Sequence, residues 1–317
     1  MSSRINISVA LAAYNGAEYI AGQIKSLLDQ TLPPDEIIVS DDSRDEKTFN
    51  ALPRDPRIHY IKNSNRPGVA GNFENAIAHC RGEYIFLCDQ DDVWEADKIQ
   101  KMAAALANDP ALDGVFCNSA LVNENLEPLN KTLWDLRRFT PDMQKRSAAG
   151  EVLQVFLKRV TLSSHNIAFK RRMLEKLLPF PELSPFYPDT FIALLIAAAG
   201  KWQALPETLT LYRIHSSNES APVQGAVASA KKARKLRAAY RNAELANVII
   251  NRCRDITPEK LSMLKNFARH HARRDNFSAN ILLRSIQVLN ELLCLRYKRY
   301  SDSLRTAIAD MIIRPDK

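Results

Sequence analysis

The chain has 317 residues, of which 46% are hydrophobic, and a formal net charge of +8. That length and apolar content suffice for one large domain with an appendage, or for two domains, and argue against a disordered chain. The longest apolar runs, INISVALAA and FIALLIAAA, reach about half of the roughly 20 residues that a membrane-spanning helix requires, so no spanning helix is expected.

The first 120 residues alternate between β-rich runs and helix-period stretches. INISVALAA reads as a first strand and not as a secretory leader, because it runs directly into YNGAEYI without a small-residue cleavage site. A cytoplasmic protein is therefore expected. Ile20, Ile24, Leu27 and Leu28 then recur at i, i+4, i+7 and i+8, the apolar face of a helix that ends near QTLPP. DEIIVSDD and RIHYIKN are the next strands, followed by a helical stripe of Val69, Phe73, Ala76, Ile77 and Cys80. EYIFLC, a helix from about Glu95 to Asn108, and the strand DGVFCNS complete the series. Strand alternating with helix predicts an α/β fold with a mostly parallel sheet flanked by helices.

Residues 121–222 are less regular, with proline-rich turns such as LPFPELSPFYP. From about Val223 the composition changes to long helix-forming stretches with one Gly and two Pro. Residues 223–317 hold 20 Lys and Arg against 8 Asp and Glu, leaving 24 against 28 in residues 1–222. A boundary near 222 is thus expected, between an α/β domain and a basic α-helical C-terminal region. Five cysteines without a C-x-x-C pair fit neither a disulfide framework nor a zinc site, and read as reduced, mostly buried thiols.

In open α/β sheets, ligands bind beyond the carboxyl ends of the strands, and those ends here carry AAYNG, SDDSRD and DQDD. The last of these sets Asp89, Asp91 and Asp92 directly after an apolar strand. Like charges at such a rim need a cation, and an Asp-x-Asp step suits a hard dication such as magnesium or manganese. An EF-hand does not fit: counted from Asp89, Trp94 stands where Gly is required and Gln100 where Glu is required. Neither glycine-rich phosphate loop, G-x-x-x-x-G-K-[ST] or G-x-G-x-x-G, occurs.

Four blocks in order, SVALAAYNGAEYIAGQIKSLLDQT, DEIIVSDDSRDEKT, NRPGVAGNFENAIAHCRGEYIFLCDQDDVWEADKI and LTLYRIHSSNES, resemble successive signatures of family 2 glycosyltransferases, which adopt the GT-A fold. The DQDD-V-W variant is closest in style to rhamnosyltransferase-like members that build bacterial surface polysaccharides. The resemblance implies an inverting hexosyltransferase that uses a Mn or Mg ion, a UDP- or dTDP-sugar donor, and a glycan or lipid-linked saccharide acceptor.

Carried over residue by residue, it puts Ala12, Ala13 and Tyr14 along the nucleotide and Asp41 and Asp42 near the base and ribose. A carboxylate there can accept the imide N–H that uracil and thymine carry and cytosine lacks; an Asp turn bonding its own backbone is the plainer alternative. Arg66, Asn72 and Gln90 belong to the donor site by the same resemblance. Asp91 becomes the direct metal ligand, with Asp89 its partner toward ribose or metal, and Asp92 orients the turn. Trp94 reads as a packing anchor ahead of a sugar platform. Asp189, opening the helical run FIALLIAAAG, is the expected general base, a role compatible with capping that helix. Arg213 is expected to face phosphate, and His215 to complete the metal shell or bind phosphate. His165 reads as structural.

The basic C-terminal region matches no motif. KKARKLRAAYR and RYKRY suit docking on an anionic membrane surface or, equally, a solvated helical face packed on the catalytic domain or on another subunit. Nucleic-acid binding is not expected, because the charge comes without an RNP, zinc or helix-turn-helix signature. A catalytically silent scaffold is the remaining alternative, opposed by the intact Asp89, Asp91 and Asp189.

Overall fold

A computed structural model describes residues 6–64, 66–184, 186–215, 241–301 and 304–312. The predicted alternation is present: β1 (Ile7–Ala13), α1 (Ile20–Leu28), β2 (Glu36–Asp41), a single turn α2 (Lys47–Asn50), β3 (Ile58–Lys62), α3 (Val69–His79) and β4 (Tyr84–Asp89). After it come β5 (Val93–Trp94), α4 (Lys98–Asn108), β6 (Gly114–Val122) and β7 (Pro128–Thr132). Three short helices follow, α5 (Leu133–Arg137), α6 (Pro141–Ala148) and α7 (Val152–Lys158), then a 3-10 turn (Ser164–Asn166) and β8 (Ile167–Lys170). A last group comprises α8 (Leu174–Leu177), α9 (Pro188–Ala199) and the long β9 (Trp202–Arg213).

Among the described residues, one sheet holds all nine strands in the order β3-β2-β1-β4-β8-β6-β9-β5, with β7 on the flank of β6. The pairs β3-β2, β2-β1, β1-β4 and β6-β9 are parallel. β8 enters antiparallel between β4 and β6, and β5 and β7 are antiparallel to their neighbours. The sheet is therefore mostly parallel, as expected, and its reversed strands decide the site. Because β8 opposes β4 with Phe86 facing Ala168, the turn just before β8 lies at the carboxyl end of β4. Because β5 opposes β9 with Val93 facing Leu211, the end of β9 is carried back onto the Asp91–Asp92 turn.

Strand alternation builds two apolar layers. Ile7, Val9 and Leu11 project to one face of β1, where Ile20, Ile24 and Leu27 of α1 and Ile99, Met102 and Leu106 of α4 cover them. Ala10, Ile38, Ile85 and Leu87 face the other way, onto α3, α7 and α9. From Phe191 to Ala198, α9 is buried all round, which explains its uniformly apolar sequence.

The expected boundary near 222 lies outside the described residues, as do most of KKARKLRAAYR and residues 223–240 generally. Beyond them come α10 (241–252), α11 (Pro258–Asp275), α12 (Ile281–Leu293), α13 (Arg296–Tyr300) and α14 (Leu304–Ile312). Leu245, Ile249, Leu264 and Phe267 join the apolar layer that contains α9, so α10 and α11 pack on the α/β core. Phe277, Val288, Tyr297 and Ala307 form a separate small cluster among the later helices. RYKRY is split by this packing: Tyr297 and Tyr300 are buried and Arg296 is paired, while Lys298 and Arg299 remain exposed.

Two buried carboxylates tie these helices together. Glu291 accepts from His270 Nδ1 at 2.8 Å, Arg273 Nη1 at 2.7 Å and Arg296 Nη1 at 2.6 Å. Asp310 accepts two bonds from Arg274, at 2.6 and 3.0 Å, and one from Tyr297 at 2.7 Å. Burial pushes the Glu291 carboxyl up, but its three donors outweigh that and hold it at about 2. The folded value lies below the ordinary 4.5, so this group contributes stability above that pH and loses the contribution as pH falls toward 2. Glu291→Gln is expected to cost about 3 kcal/mol at neutral pH, by leaving two guanidinium groups undercompensated. Urea unfolding of the variant and the parent at pH 7 and pH 3 checks this; the difference should shrink at the lower pH.

Candidate active site

The site grows from the carboxyl ends of β1, β2 and β4. β1 ends in Ala12 and Ala13, with Ala12 in register with Asp89 of β4 and Ala13 with Asp41 of β2. Asn72 of α3 donates from Nδ2 to the Ala13 carbonyl at 2.7 Å, and the Asp42 N–H donates to the same oxygen at 2.9 Å. Asn72 is thus buried support beneath the strand end. Tyr14 is exposed, and its backbone is clamped in both directions by Gln90: the Tyr14 N–H donates to Oε1 at 2.8 Å and Nε2 donates to the Tyr14 carbonyl at 2.9 Å. Gly16 allows that clamp, since a Cβ there would collide with the Gln90 amide.

Asp41 and Asp42 diverge. Asp41 is fully buried; its oxygens accept from the Ser43 N–H and hydroxyl and from Tyr60 OH at 2.9 Å. Asp42 is partly exposed and accepts from Asn63 Nδ2 and the Gly68 N–H, each at 2.6 Å. Of the pair, only Asp42 has surface open to a ligand. Arg66 lies 3.6 Å from Glu74 and over the Phe186 ring.

The acidic turn is split between an open and a closed side. On the closed side Asp92 and His165 are fully buried, with Asp92 Oδ2 and His165 Nδ1 3.6 Å apart and His165 Nδ1 3.5 Å from Asp89 Oδ2. Those two buried atoms have no hydrogen-bond partner. His165 Nε2 meets Ser119 Oγ at 3.1 Å, its ring stacks on Tyr212, and the neighbouring Ser164 hydroxyl bonds Asp89 at 2.9 Å. Burial pushes Asp92 well up, the charges of Asp91 and Asp89 add to that, and the Arg213 N–H and Lys98 oppose it; burial pushes His165 down, against the pull of Asp89.

Lys98 lies beneath, fully buried, donating to the His165 carbonyl at 2.6 Å and Thr210 Oγ1 at 2.7 Å, with its ammonium 3.6 Å from the centre of the Trp94 ring. Desolvation lowers it to about 8, so it keeps its charge at neutral pH. Trp94 is buried, a packing anchor as expected.

On the open side, the Asp89 and Asp91 side chains are 30% and 14% exposed. Asp91 Oδ2 is 2.8 Å from His215 Nε2. Burial raises Asp91, the charge of Asp89 raises it further, and His215 opposes both. The end of β9 frames this side: the Arg213 N–H donates to Asp92 Oδ1 at 3.0 Å and its Nε to the Asp91 carbonyl at 2.8 Å, and Nη1 bonds the Glu124 carbonyl. The Tyr19 ring lies against both Arg213 and His215.

Two donor sets are therefore available for a dication. Asp89, Asp92 and His165 offer atoms within 4.8 Å of one another. Asp91 and His215 offer atoms 2.8 Å apart, close to the roughly 3 Å between adjacent ligands of an octahedral shell with 2.1 Å bonds. The first set has two fully buried members and the 30% exposed Asp89; in the second, the Asp91 and His215 side chains are 14% and 6% exposed.

Asp189 is the second residue of α9, after Pro188, and Tyr187 rather than Asp189 takes the cap position. Its Oδ1 accepts from the Thr190 N–H at 2.6 Å. Burial raises its carboxyl, Arg137 of α5 opposes that, and the charge of Asp89 adds to it. Asp189 and the acidic turn thus share one electrostatic environment, although 100 residues separate them in the chain.

Sequence reasoning missed Lys98, Ser164 and Arg137. A signal for Lys98 exists, since it precedes the buried Met102 and Leu106 at i+4 and i+8 and so stands on the apolar stripe of α4. Ser164 and Arg137 carry no local signal.

A mostly parallel sheet flanked by helices, with an acidic turn past the end of β4, defines a GT-A type fold. The chain belongs to glycosyl transferase family 2, whose family model matches residues 8–178. It is 29% identical to an uncharacterized glycosyltransferase, alr2836, of Nostoc sp., over 68% of this chain and 66% of that protein. It is 38% identical to WfaP of Escherichia coli, named as a UDP-Glc:alpha-D-GlcNAc-diphosphoundecaprenol beta-1,3-glucosyltransferase, over 29% of this chain and 38% of the relative. The chain spans less than two thirds of the length of these curated relatives. In fold it is similar to Staphylococcus aureus TarS residues 1–349 (TM-score 0.58, 17% identity, 97% of this chain and 88% of that one). It is also similar to the mannosyltransferase PcManGT of Pyrobaculum calidifontis, solved with GDP-Man and Mn2+ (TM-score 0.54, 19% identity, 98% and 86%).

Lys98→Met is expected to lower stability by about 2 kcal/mol, because two buried acceptors lose their donor. Lys101→Met, on the surface of the same helix, should stay within about 0.5 kcal/mol of the parent. Parallel denaturant titrations of the two variants test this.

Proposed function

We propose that this protein is a metal-dependent inverting glycosyltransferase that moves a sugar from a UDP- or dTDP-sugar to a glycan or lipid-linked saccharide in surface polysaccharide synthesis. One observation carries the reading: Asp89 and Asp91 stand in one turn at the carboxyl end of β4, and Asp189 of α9, from a distant part of the chain, is near enough for the Asp89 charge to raise its carboxyl. The names of relatives support the biological setting. WfaP is named for a UDP-Glc donor and a diphosphoundecaprenol-linked acceptor, and TuaG of Bacillus subtilis, 27% identical over 48% of this chain, is named as a putative teichuronic acid biosynthesis glycosyltransferase.

Ala12, Ala13 and the clamped Tyr14 backbone form the floor for the nucleotide, and Asp42 supplies the acceptor for an imide N–H. Asp91, with Asp89 beside it and His215 closing the shell, would hold the dication. When bound, that ion offsets the diphosphate charge and the charge that grows on the departing nucleoside diphosphate. Arg213 and Asp92 keep the turn in register beneath it.

Asp189 takes the proton from the acceptor hydroxyl as that oxygen attacks the anomeric carbon and the bond to the diphosphate breaks on the opposite side. A single displacement of this kind inverts the anomeric centre. Burial makes Asp189 a stronger base than an exposed carboxylate, nearer to a working pH where proton transfer is efficient.

Asp189→Asn is expected to reduce kcat about 10³-fold while leaving donor affinity near that of the parent. Single-turnover kinetics with calorimetric donor binding measures both, and near-parental transfer would overturn the base assignment. Activity of the parent should fall on the acid side as pH drops through the Asp189 value, which burial raises from the ordinary one, since only the ionised form accepts a proton. A kcat–pH profile reads this directly. Asp91→Ala should abolish the manganese-dependent part of the thermal stabilisation by UDP; stabilisation that persists with manganese would show that the ion is held elsewhere.

A further inference from the structure

α12 is built inside out. Its sequence, ILLRSIQVLNELL, contains two charged residues, Arg284 and Glu291, and both are buried, at 4% and 1% exposure. Val288 and Leu292 pack inward, but its other large aliphatic residues face solvent, from 50% exposure at Leu289 to 81% at Leu293. Leu282, Ile286, Leu289 and Leu293 recur at i, i+4, i+7 and i+11 and so form one continuous stripe along the helix. α14 packs beside α12 and repeats the arrangement, with Leu304, Ile308 and Ile312 exposed at i, i+4 and i+8.

The polar interior holds this orientation in place. Arg284 donates to the carbonyls of Ser278, Ala279 and Met311, each at 3.1 Å, and Glu291 is held by His270, Arg273 and Arg296. Rotating α12 to bury its leucines would strip both ionic groups of their partners. An aliphatic face fixed outward in this way calls for an apolar occupant.

The charge around the face selects which one. Among the described residues from 281 to 312, the exposed charged side chains are Lys298, Arg299 and Arg305, all cations. Arg305 shares the exposed side of α14 with Ile308 and Ile312, at i+3 and i+7. A second copy of the chain would set cation against cation. An anionic leaflet offers acyl chains to the stripe and phosphates to the rim. We propose that the outer face of α12 and α14 docks on an anionic lipid bilayer. The expected membrane-docking segment thereby shifts from the cationic runs to the aliphatic stripe, with cations in a supporting role.

The test uses the full chain and vesicles of phosphatidylcholine with or without phosphatidylglycerol, read by co-sedimentation. The parent should bind the phosphatidylglycerol vesicles at least about tenfold more than the neutral ones. The combined Leu282→Gln, Ile286→Gln, Leu289→Gln and Leu293→Gln variant should lose about tenfold or more of that binding with its helical circular dichroism unchanged. Lys298→Glu, Arg299→Glu and Arg305→Glu together should abolish the preference for phosphatidylglycerol. A parent that stays in the supernatant, that binds both vesicles equally, or whose glutamine variant binds as well as it does, overturns the proposal. So does light scattering that shows a dimer which the glutamine variant converts to monomer, because the face then belongs to a second copy. The readout contains no sugar nucleotide, so its failure leaves the transfer reading intact, and failure of the transfer assays leaves this one intact.

Discussion

The active edge depends on how one turn is neutralised. Three carboxylates within four residues, at the end of a buried strand, repel one another, and burial penalises Asp91 and Asp92 further. The fold answers from two directions. Beneath the turn, Lys98, His165 and the Arg213 backbone address Asp92; above it, His215 meets Asp91 and Ser164 meets Asp89. Asp92 is thereby consumed by the architecture, while the Asp89 and Asp91 side chains stay partly exposed.

Register delivers those partners. Inserting β8 antiparallel beside β4 places Ser164 and His165 at the end of β4. Pairing β9 antiparallel with β5 returns Arg213 and His215 to Asp91 and Asp92. A one-residue slip in either pairing would turn the alternate residue toward the turn and leave a buried carboxylate uncompensated. α9 links this edge to the remainder of the chain: Asp189 stands in its first turn, and its apolar body is covered by residues of α10 and α11. Arg252 of α10 lies over Phe191 and bonds the carbonyls of Lys176, Leu177 and Pro179, so Asp189 is carried on a helix held from both sides.

Much of the α/β part is legible in one dimension. The strands at Ile7–Ala13, Glu36–Asp41, Ile58–Lys62 and Tyr84–Asp89, and the helices α1 and α3, follow from period-2 and period-3.6 patterns, whereas the single turn α2 does not. Asp89, Asp91 and Asp189 stand out because carboxylates at strand ends and helix starts carry a chemical meaning of their own. β5 was not legible, being two residues long, and α12 was misleading. Its composition reads as an ordinary amphipathic helix, yet the charged residues point inward, because their partners Arg273, His270 and Met311 come from other elements.

The sequence by itself determined the α/β class, the family and the identity of the acidic residues, since hydrophobic period and strand-end chemistry are local properties of the chain. Tertiary structure alone decided which carboxylate stays open and which is buried, that Lys98 and His165 sit beneath the turn, and that the aliphatic side of α12 faces outward. The physical reason is the same in each case: exposure and ionic compensation depend on groups that are distant in the chain, and no local pattern encodes a partner's position.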